Sequence, residues 1–350
     1  MADKERVFSA FAAGDNDIGI DLGTLNTVIF RKDKGIVVRE PSVVASDNRT
    51  DEVLAVGREA RDMAGKTPET ITLIDAVKSG AVADCSVAAA LIKVLLRKAM
   101  GSFNVVKPKA VFAVPSGITD VERKAVEDSA KQAGIISVRL LEAPMAAAIG
   151  AGLPVGAAKG SMVVTMGAGI TEAAVISLGD IVASASVRFG SRDIDEAIRS
   201  YIRRTYGLII GVQTAEEIKM KIGSAAPSED TYNLFMEVRG RSASEGLPKS
   251  YTVQADEIRS VIASSLTQVT EVIVKCLEDL PGELAADILD GGITLTGAPA
   301  QLRGIERFLG DETGIKVQVA ERPADCVAEG LGKSLELVFD GREARKHSKK

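Results

Sequence analysis

Histidine and tryptophan are almost missing from this chain of 350 residues, which has one His and no Trp. The only histidine, His347, lies near the C-terminus, so a Ser-His-Asp triad and a His-rich metal site are disfavoured. The three cysteines, Cys85, Cys276 and Cys326, are far apart and share no metal-ligand spacing. We therefore expect them to be buried structural thiols, and they give no indication of an oxidising compartment.

Long apolar runs and an excess of positive charge are also absent. No apolar run reaches the length of a membrane span, and no signal-peptide pattern starts the chain. The formal net charge is -5, so nucleic acid is not an expected partner. Aromatic residues make up 4% of the chain but hydrophobic residues 46%, which predicts a large core of Ala, Val, Ile and Leu. The length is enough for two ordinary domains.

The chain does contain an internal repeat. GIDLGTLNTVIF at residues 19–30 resembles VVTMGAGITEAAVI at residues 163–176, since both have an apolar strand, a Gly turn and an apolar return. Alignment of the two turns pairs Gly23 with Gly167, Thr27 with Thr171 and Asp21 with Thr165. Alternating helix and strand patterns follow each copy. The repeat predicts a duplicated α/β protein that places its ligand between the halves, at the strand ends.

Paired Gly turns between strands are suited to phosphate, because their backbone N–H groups can point at its oxygens. A carboxylate beside such a turn can hold hydrated Mg²⁺, which makes Asp21 the candidate metal ligand. The candidate phosphate-binding residues are Gly23, Thr24, Leu25, Asn26, Gly167, Ala168, Gly169 and Thr171.

Two further segments extend this candidate site. Glu216 and Lys219 lie three residues apart on a predicted helix, so they can converge on one target such as ribose hydroxyls, or form a surface salt bridge. The segment LTGAPAQLRG, residues 295–304, reads as a strand, a turn and a helix start where adenosine could lie. Gly297 and Ala298 are the candidate adenosine-binding residues.

Several segments resemble the bacterial actin MreB family over residues 16–337. They include IDLGTLNTVI, GITDVERKAV, PMAAAIGAGLP, TAEEIKMKIGSA, ELAADI and LTGAPAQLRGIERFL. The resemblance implies an α/β actin-like duplicated fold, in which each half has a five-stranded mixed sheet with flanking helices and the nucleotide cleft lies between the halves. The implied divisions are an N-terminal tail or amphipathic helix (1–15), subdomain IA (16–41 and 75–155), IB (42–74), IIA (156–190 and 257–338), IIB (191–256) and a basic tail (339–350).

The departures from the family pattern affect positions that the resemblance connects with ATP hydrolysis and nucleotide binding. The resemblance implies a water-positioning Glu at the position of Ala143 and a carboxylate at the position of Thr165. It also implies three consecutive glycines where this chain has Gly297, Ala298 and Pro299. Since hydrolysis of ATP needs a positioned water and Mg²⁺, we expect very slow or absent hydrolysis, whereas ATP or ADP with Mg²⁺ is still expected to bind.

The resemblance also implies that the protein binds a membrane surface. Val7, Phe8 and Phe11 could form one face of a short amphipathic helix at the N-terminus, although a disordered tail is the alternative. Phe103 lies where the family carries a membrane-touching loop, but it could equally pack on its own subdomain. We therefore expect a cytoplasmic protein, peripheral at the inner face of the cell membrane.

The resemblance implies a cytoskeletal protein that forms head-to-tail protofilaments, paired at the membrane, with a role in cell shape or wall elongation. The partners it implies are further copies of the chain, and RodZ, MreC, MreD or another MreB. Two alternatives stay open. One is an active ATPase whose rearranged site uses Glu142 or Glu172, and the other is a non-polymerising regulator of another MreB.

Overall fold

The computed structural model describes residues 17–335, apart from residues 33, 102–106, 228–230 and 279. Its contacts divide the chain into two units. The first consists of the residues up to Leu153 together with those from Asp325 onward, and the second is Pro154–Ala324.

The strands are β1 Ile18–Leu22, β2 Asn26–Arg31, β3 Gly35–Pro41, β4 Val43–Asp47, β5 Val53–Val56, β6 Ile71–Asp75, β7 Val77–Lys78, β8 Ala81–Val82, β9 Lys109–Val114, β10 Ser137–Glu142, β11 Ser161–Met166, β12 Thr171–Ser177, β13 Asp180–Val187, β14 Leu208–Ile209, β15 Phe235–Ser242, β16 Pro248–Gln254, β17 Ile293–Thr296 and β18 Val317–Val319. The helices are α1 Arg58–Asp62, α2 Cys85–Met100, α3 Asp120–Gln132, α4 Ala143–Gly150, α5 Ser191–Tyr206, α6 Val212–Ile222, α7 Ala255–Leu277, α8 Gly282–Gly291, a 3-10 turn Ala298–Gln301, α9 Ile305–Thr313 and α10, residues 326–335.

The first unit is built on a mixed sheet of five strands in the order β10-β9-β1-β2-β3. One face of this sheet packs its aliphatic residues and Phe112 against α2 and α3. Both helices have capped N-termini, which fixes where they start: the Asp84 side chain accepts from two backbone N–H groups of α2, and Thr119 with Glu122 forms a capping box on α3. A smaller sheet in the order β5-β4-β6 is inserted before α2.

Helices α4 and α10 lie against each other on the first unit. A Cβ atom at Gly330 of α10 would overlap the carbonyl oxygen of Ala146, and one at Gly150 would overlap that of Cys326. The two glycines therefore allow the two helix backbones to touch. Gly332 is likewise covered by the ring of Phe30 on β2.

The second unit repeats the same sheet. Its strand order is β13-β12-β11-β17-β18, which matches that of the first sheet when β1 is set on β11 and β9 on β17. Helices α5 and α7 pack together, and α7 also packs on β12 and β13. A separate sheet in the order β14-β15-β16 lies within the insertion between α5 and α7. The two matching five-stranded sheets with flanking helices confirm the duplicated α/β fold.

Helix α7 is, among the described residues, the one helix long and apolar enough to cross a membrane by length and composition. Ile258, Ile262, Leu266 and Ile273 are all fully buried in the second unit, so α7 serves as a core helix.

Two details differ from the sequence analysis. Cys85 is exposed, because it is the first residue of α2, whereas Cys276 and Cys326 are buried as expected. Residues from Asp325 onward group with the first unit, although residues up to 338 were assigned to subdomain IIA. The reason is that α10 packs on α4 and β2 of the first unit. The remaining subdomain boundaries stay a prediction.

Candidate functional site

The first Gly turn connects β1 to β2. The N–H of Gly23 donates to the carbonyl of Asn26 at 3.2 Å, which closes the turn. A Cβ at Gly23 would lie 2.8 Å from that same carbonyl oxygen, so a side chain is disfavoured there. Thr24 is buried, and its hydroxyl accepts from the N–H of Gly80 at 3.1 Å.

Ser42 braces this turn, a role that the sequence did not reveal. Its hydroxyl donates to the carbonyl of Gly23 at 2.6 Å and lies 2.8 Å from the hydroxyl of Thr27, while its N–H donates to Leu25 at 2.9 Å. Both hydroxyl side chains are almost fully buried. The turn is therefore held from the neighbouring strand end, and its shape does not depend on a ligand.

Asp21 lies two residues before the turn, and a Cβ at Gly23 would be 3.8 Å from its carboxylate oxygen. Burial raises the pKa of Asp21 to about 6, and the positive charge of Arg39 opposes that rise. Arg39 itself is paired with Asp325, the residue before α10. The candidate metal ligand thus has a fixed cation as a neighbour.

The second turn has the same construction. The N–H of Gly167 donates to the carbonyl of Ile170 at 2.8 Å, and the strand register matches the first turn: Asp21 pairs with Val28 and Thr165 pairs with Glu172. The geometry therefore places Thr165 at the position in the second turn that Asp21 occupies in the first.

Thr165 is buried and has a partner. The hydroxyl of Thr296 on β17 lies 3.1 Å from the hydroxyl of Thr165 and also donates to the carbonyl of Val164 at 3.2 Å. Thr165 and Thr296 are 9% and 0% exposed. A neutral hydrogen-bonded pair therefore stands where the first turn has a carboxylate.

The start of α5 supports the second turn. The N–H groups of Ser191 and Arg192 donate to the carbonyls of Gly167 and Ala168 at 3.1 and 3.0 Å. A Cβ at Gly190 would overlap Ala168, so only glycine fits there without a shift of the backbone. The buried hydroxyl of Thr171 donates to the carbonyl of Phe189 at 2.9 Å, which anchors the other side of the turn.

Lys219 has a partner inside the second unit. Its ammonium group lies 2.7 Å from the carboxylate of Asp195 on α5 and donates to the carbonyl of Ser191 at 3.3 Å. Burial raises the pKa of Asp195, and the charge of Lys219 counteracts this while that of Glu216 reinforces it. Glu216 and Lys219 therefore both face Asp195, and the sequence analysis did not anticipate this third residue.

Replacing Lys219 by Met is expected to destabilise the protein by about 3 kcal/mol, because the carboxylate of Asp195 would stay buried without its partner. The pKa of Asp195 is already raised, so at low pH the group is neutral in both the folded and the unfolded chain, and the loss should grow as the pH rises. Urea unfolding at pH 5 and pH 8 measures both effects. The control is Lys221→Met, which removes an exposed ion pair with Glu217 and should cost less than about 1 kcal/mol. Equal losses in the two variants would contradict this role of Lys219.

The turn after β17 lines a cavity of about 260 Å³, slightly below the usual range for ligand pockets. Ala298 and Pro299, which stand where the resemblance implies glycines, form part of its wall. The other lining residues are Ser191, Ile194, Lys219, Met220, Gly223, Gln301, Leu302 and Arg303. Predicted ribose and adenosine residues, Lys219 and Ala298, therefore share one cavity.

Two residues set the shape of this cavity. Gly297 has a φ of 87°, and a Cβ there would overlap the carbonyl oxygen of Met166, so the turn lies directly on the end of β11. Arg303 donates to the carbonyl of Lys221 at 2.9 Å and thereby holds the end of α6. The role of Arg303 could not be read from the sequence, because its partner is 82 residues away.

Ala143 and Glu142 lie at the junction of β10 and α4. Ala143 is the first residue of the helix, and Glu142 is the last residue of the strand, with extended backbone angles. Glu142 therefore precedes the helix that Ala143 starts. The predicted membrane residues Val7, Phe8, Phe11 and Phe103 lie outside the described residues.

Comparison with solved structures gives the same fold. An MreB of Spiroplasma citri bound to AMPPNP matches with a TM-score of 0.90 at 34% identity and covers 95% of this chain and 99% of its own. The double helical filament of MamK matches with a TM-score of 0.77 at 17% identity, over 92% of this chain and 99% of its own, which shows the fold alone.

Comparison of sequences gives the family. The Escherichia coli K12 cell shape-determining protein MreB is 47% identical over 328 residues, covering 92% of this chain and 94% of its own length. The Bacillus subtilis cell shape-determining protein Mbl is 44% identical over 322 residues, covering 91% and 96%. A family model described as MreB/Mbl protein matches residues 15–341. The chain belongs to the MreB/Mbl family.

Proposed function

We propose that this chain is an actin-like cytoskeletal protein that polymerises into filaments and acts in cell shape, with adenine nucleotide binding retained and ATP hydrolysis very slow or lost. Relatives at 47% and 44% identity are cell shape-determining proteins. The fold is shared with a protein solved as a double helical filament. A cytoskeletal role places the protein in the cytoplasm.

Nucleotide binding is supported by the two turns. Related MreB structures at 34% identity were solved with AMPPNP and with ADP. In this chain both Gly turns are closed by their own hydrogen bonds and braced from neighbouring elements, so they are preorganised for phosphate. The cavity between the start of α5, α6 and the 3-10 turn is the site proposed for the nucleoside.

Loss of hydrolysis rests on one observation: side chains without a carboxylate stand at the two positions where the resemblance implies a water-positioning Glu and a metal-side carboxylate. Ala143 has no polar atom in its side chain, and Thr165 is a neutral hydroxyl already paired with Thr296. Positioned acids or bases typically contribute ~10²–10⁴-fold to a rate.

The rearranged-site alternative has less support. Glu172 lies opposite Thr165 in the strand pair, but it is 2% exposed and has an interaction of its own. Glu142 is partly buried in the β10 ladder opposite Val114. Glu172 is thus enclosed in the core of the second unit, and Glu142 is at most partly accessible.

Membrane association is proposed from the sequences of the N-terminal segment and of the segment around Phe103. Strands β1 and β9, the first described strands after these two segments, are parallel neighbours with Ile18 paired to Ala110, so they start at the same end of the sheet. Apolar side chains from both could then reach one anionic membrane surface. The association is expected to be weak for a single chain and to gain strength along a filament. RodZ, MreC, MreD or another MreB are proposed partners by family resemblance.

Electron microscopy of the purified protein, in solution and on an anionic lipid monolayer, tests the proposal. Filaments are expected with ATP and equally with a non-hydrolysable analogue, since assembly should not need hydrolysis. Deleting residues 1–15 should leave filaments in solution but reduce those on lipid. Monomers under all conditions, together with binding to another MreB, would favour the regulator instead.

A further inference from the structure

The ammonium group of Lys219 is held on two sides. It lies 2.7 Å from a carboxylate oxygen of Asp195 and donates to the carbonyl of Ser191 at 3.3 Å. Both partners belong to α5, whereas Lys219 is on α6, and these two helices pack together. Because an ammonium group has three N–H donors, two fixed anchors leave one donor with a defined direction.

Lys219 reaches the cavity beside the 3-10 turn, whereas its carboxylate partner is more deeply buried. Lys219 and Ser191 both line this cavity, and the side chain of Lys219 is 13% exposed. The side chain of Asp195 is only 6% exposed, and Asp195 is not one of the lining residues. A ligand in the cavity would therefore contact Lys219, and Asp195 would act on that ligand through the lysine.

The positive charge of Lys219 is compensated by its surroundings. Asp195 interacts electrostatically with Lys219 and Arg192, which are positive, and with Glu216, which is negative, so two carboxylates and two cations balance there. Arg303, the other cation that lines the cavity, donates to backbone carbonyls at the end of α6. A phosphate group is favoured by an excess of positive charge, whereas a sugar hydroxyl needs one well-directed donor. The remaining donor of Lys219 therefore suits a neutral hydroxyl.

We propose that Asp195 is a positioning residue: it holds Lys219 so that the ammonium group donates to a ribose hydroxyl, and it thereby sets a preference for ribonucleotides over deoxyribonucleotides. This inference rests on the proposed nucleotide binding. A hydrogen bond from a charged donor contributes about tenfold or more to affinity. An analogue without the hydroxyl is disfavoured, because the donor is then left without an acceptor.

Calorimetric titration of the full-length protein with ADP, 2′-deoxy-ADP and 3′-deoxy-ADP tests the inference. At least one deoxy analogue is expected to bind about tenfold more weakly than ADP. Asp195→Asn should weaken ADP binding and reduce this ratio to less than about threefold, because a neutral amide neither holds the ammonium group as tightly nor compensates its charge. The control is Glu196→Gln, which removes the next carboxylate of α5, an exposed one paired with Arg199, and should leave all three Kd values unchanged.

A double-mutant cycle tests whether Asp195 acts through Lys219. Lys219→Met should reduce the ratio to the same low value, and adding Asp195→Asn to Lys219→Met should cause no further change. An unchanged ratio in Asp195→Asn would overturn the role of Asp195. Equal affinity of the unmutated protein for the three ligands would overturn the inference and leave the nucleotide proposal standing, even if Asp195→Asn did not fold. Absence of ADP binding would overturn both.

Discussion

Phosphate release from ATP is expected to rise by about 10²-fold or more when Ala143→Glu is combined with Thr165→Asp. The first change places a carboxylate at the start of α4, where the resemblance implies that water is positioned. The second returns the carboxylate of the second turn. Both sites should accept the new groups: an acidic side chain is favoured in the first turn of a helix, and the hydroxyl of Thr296 can donate to an aspartate at residue 165.

Matched control variants distinguish the effect of a new carboxylate from the effect of a larger side chain. Ala143→Gln has nearly the same volume as the glutamate but cannot act as a base, so it should leave phosphate release at the level of the unmutated chain. Glu142→Gln tests the rearranged site directly and should have no effect. The prediction fails if the unmutated protein already releases phosphate as fast as the double variant, or if Glu142→Gln abolishes that release.

Gly330→Ala is expected to destabilise the first unit by about 3 kcal/mol. A methyl group there would overlap the carbonyl oxygen of Ala146, and both partners are helix backbone that cannot rotate away. Helix α10 would have to lift from α4, which would also loosen Asp325 and hence Arg39. A fall in the free energy of unfolding, measured by urea denaturation, is the expected readout.

The control for this change is another helical glycine. At Gly310 in α9 the nearest atom to a new Cβ would be the carbonyl oxygen of Ile315, at 3.5 Å, which is ordinary contact. Gly310→Ala should therefore stabilise the protein by about 0.5–1 kcal/mol through helix propensity. If both substitutions changed stability in the same direction and by similar amounts, the close approach of α4 and α10 would not be the cause.

Local sequence patterns predicted several of the helices, strands and turns. The periodicity of residues 86–100 predicted α2 within one residue of its observed start at Cys85, and the apolar run at residues 109–115 predicted β9. The matched turns at Gly23 and Gly167 indicated the duplication, since a tight turn between strands depends on a few neighbouring residues. Family resemblance then indicated where catalytic groups are missing.

The interactions that hold the candidate site together were not visible in the sequence. Ser42 braces the first turn, Thr296 pairs with Thr165, and Asp195 holds Lys219, over separations of 19, 131 and 24 residues respectively. A serine or threonine has no local pattern that states which distant group it will meet. Arg39 likewise reads as an ordinary strand residue until the sheet register sets it in one row with Asp21.

By itself, the sequence determined which segments become helices, strands and Gly turns, because these depend on residue type and short-range spacing. The expectation that catalytic side chains are missing came from the family resemblance and stays a prediction. Only the tertiary structure decided which charge faces which: Arg39 towards Asp21 and Asp325, and Lys219 towards Asp195. The physical reason is that burial and the neighbouring charges set the electrostatic character of a group, and both arise only when distant strands and helices pack together.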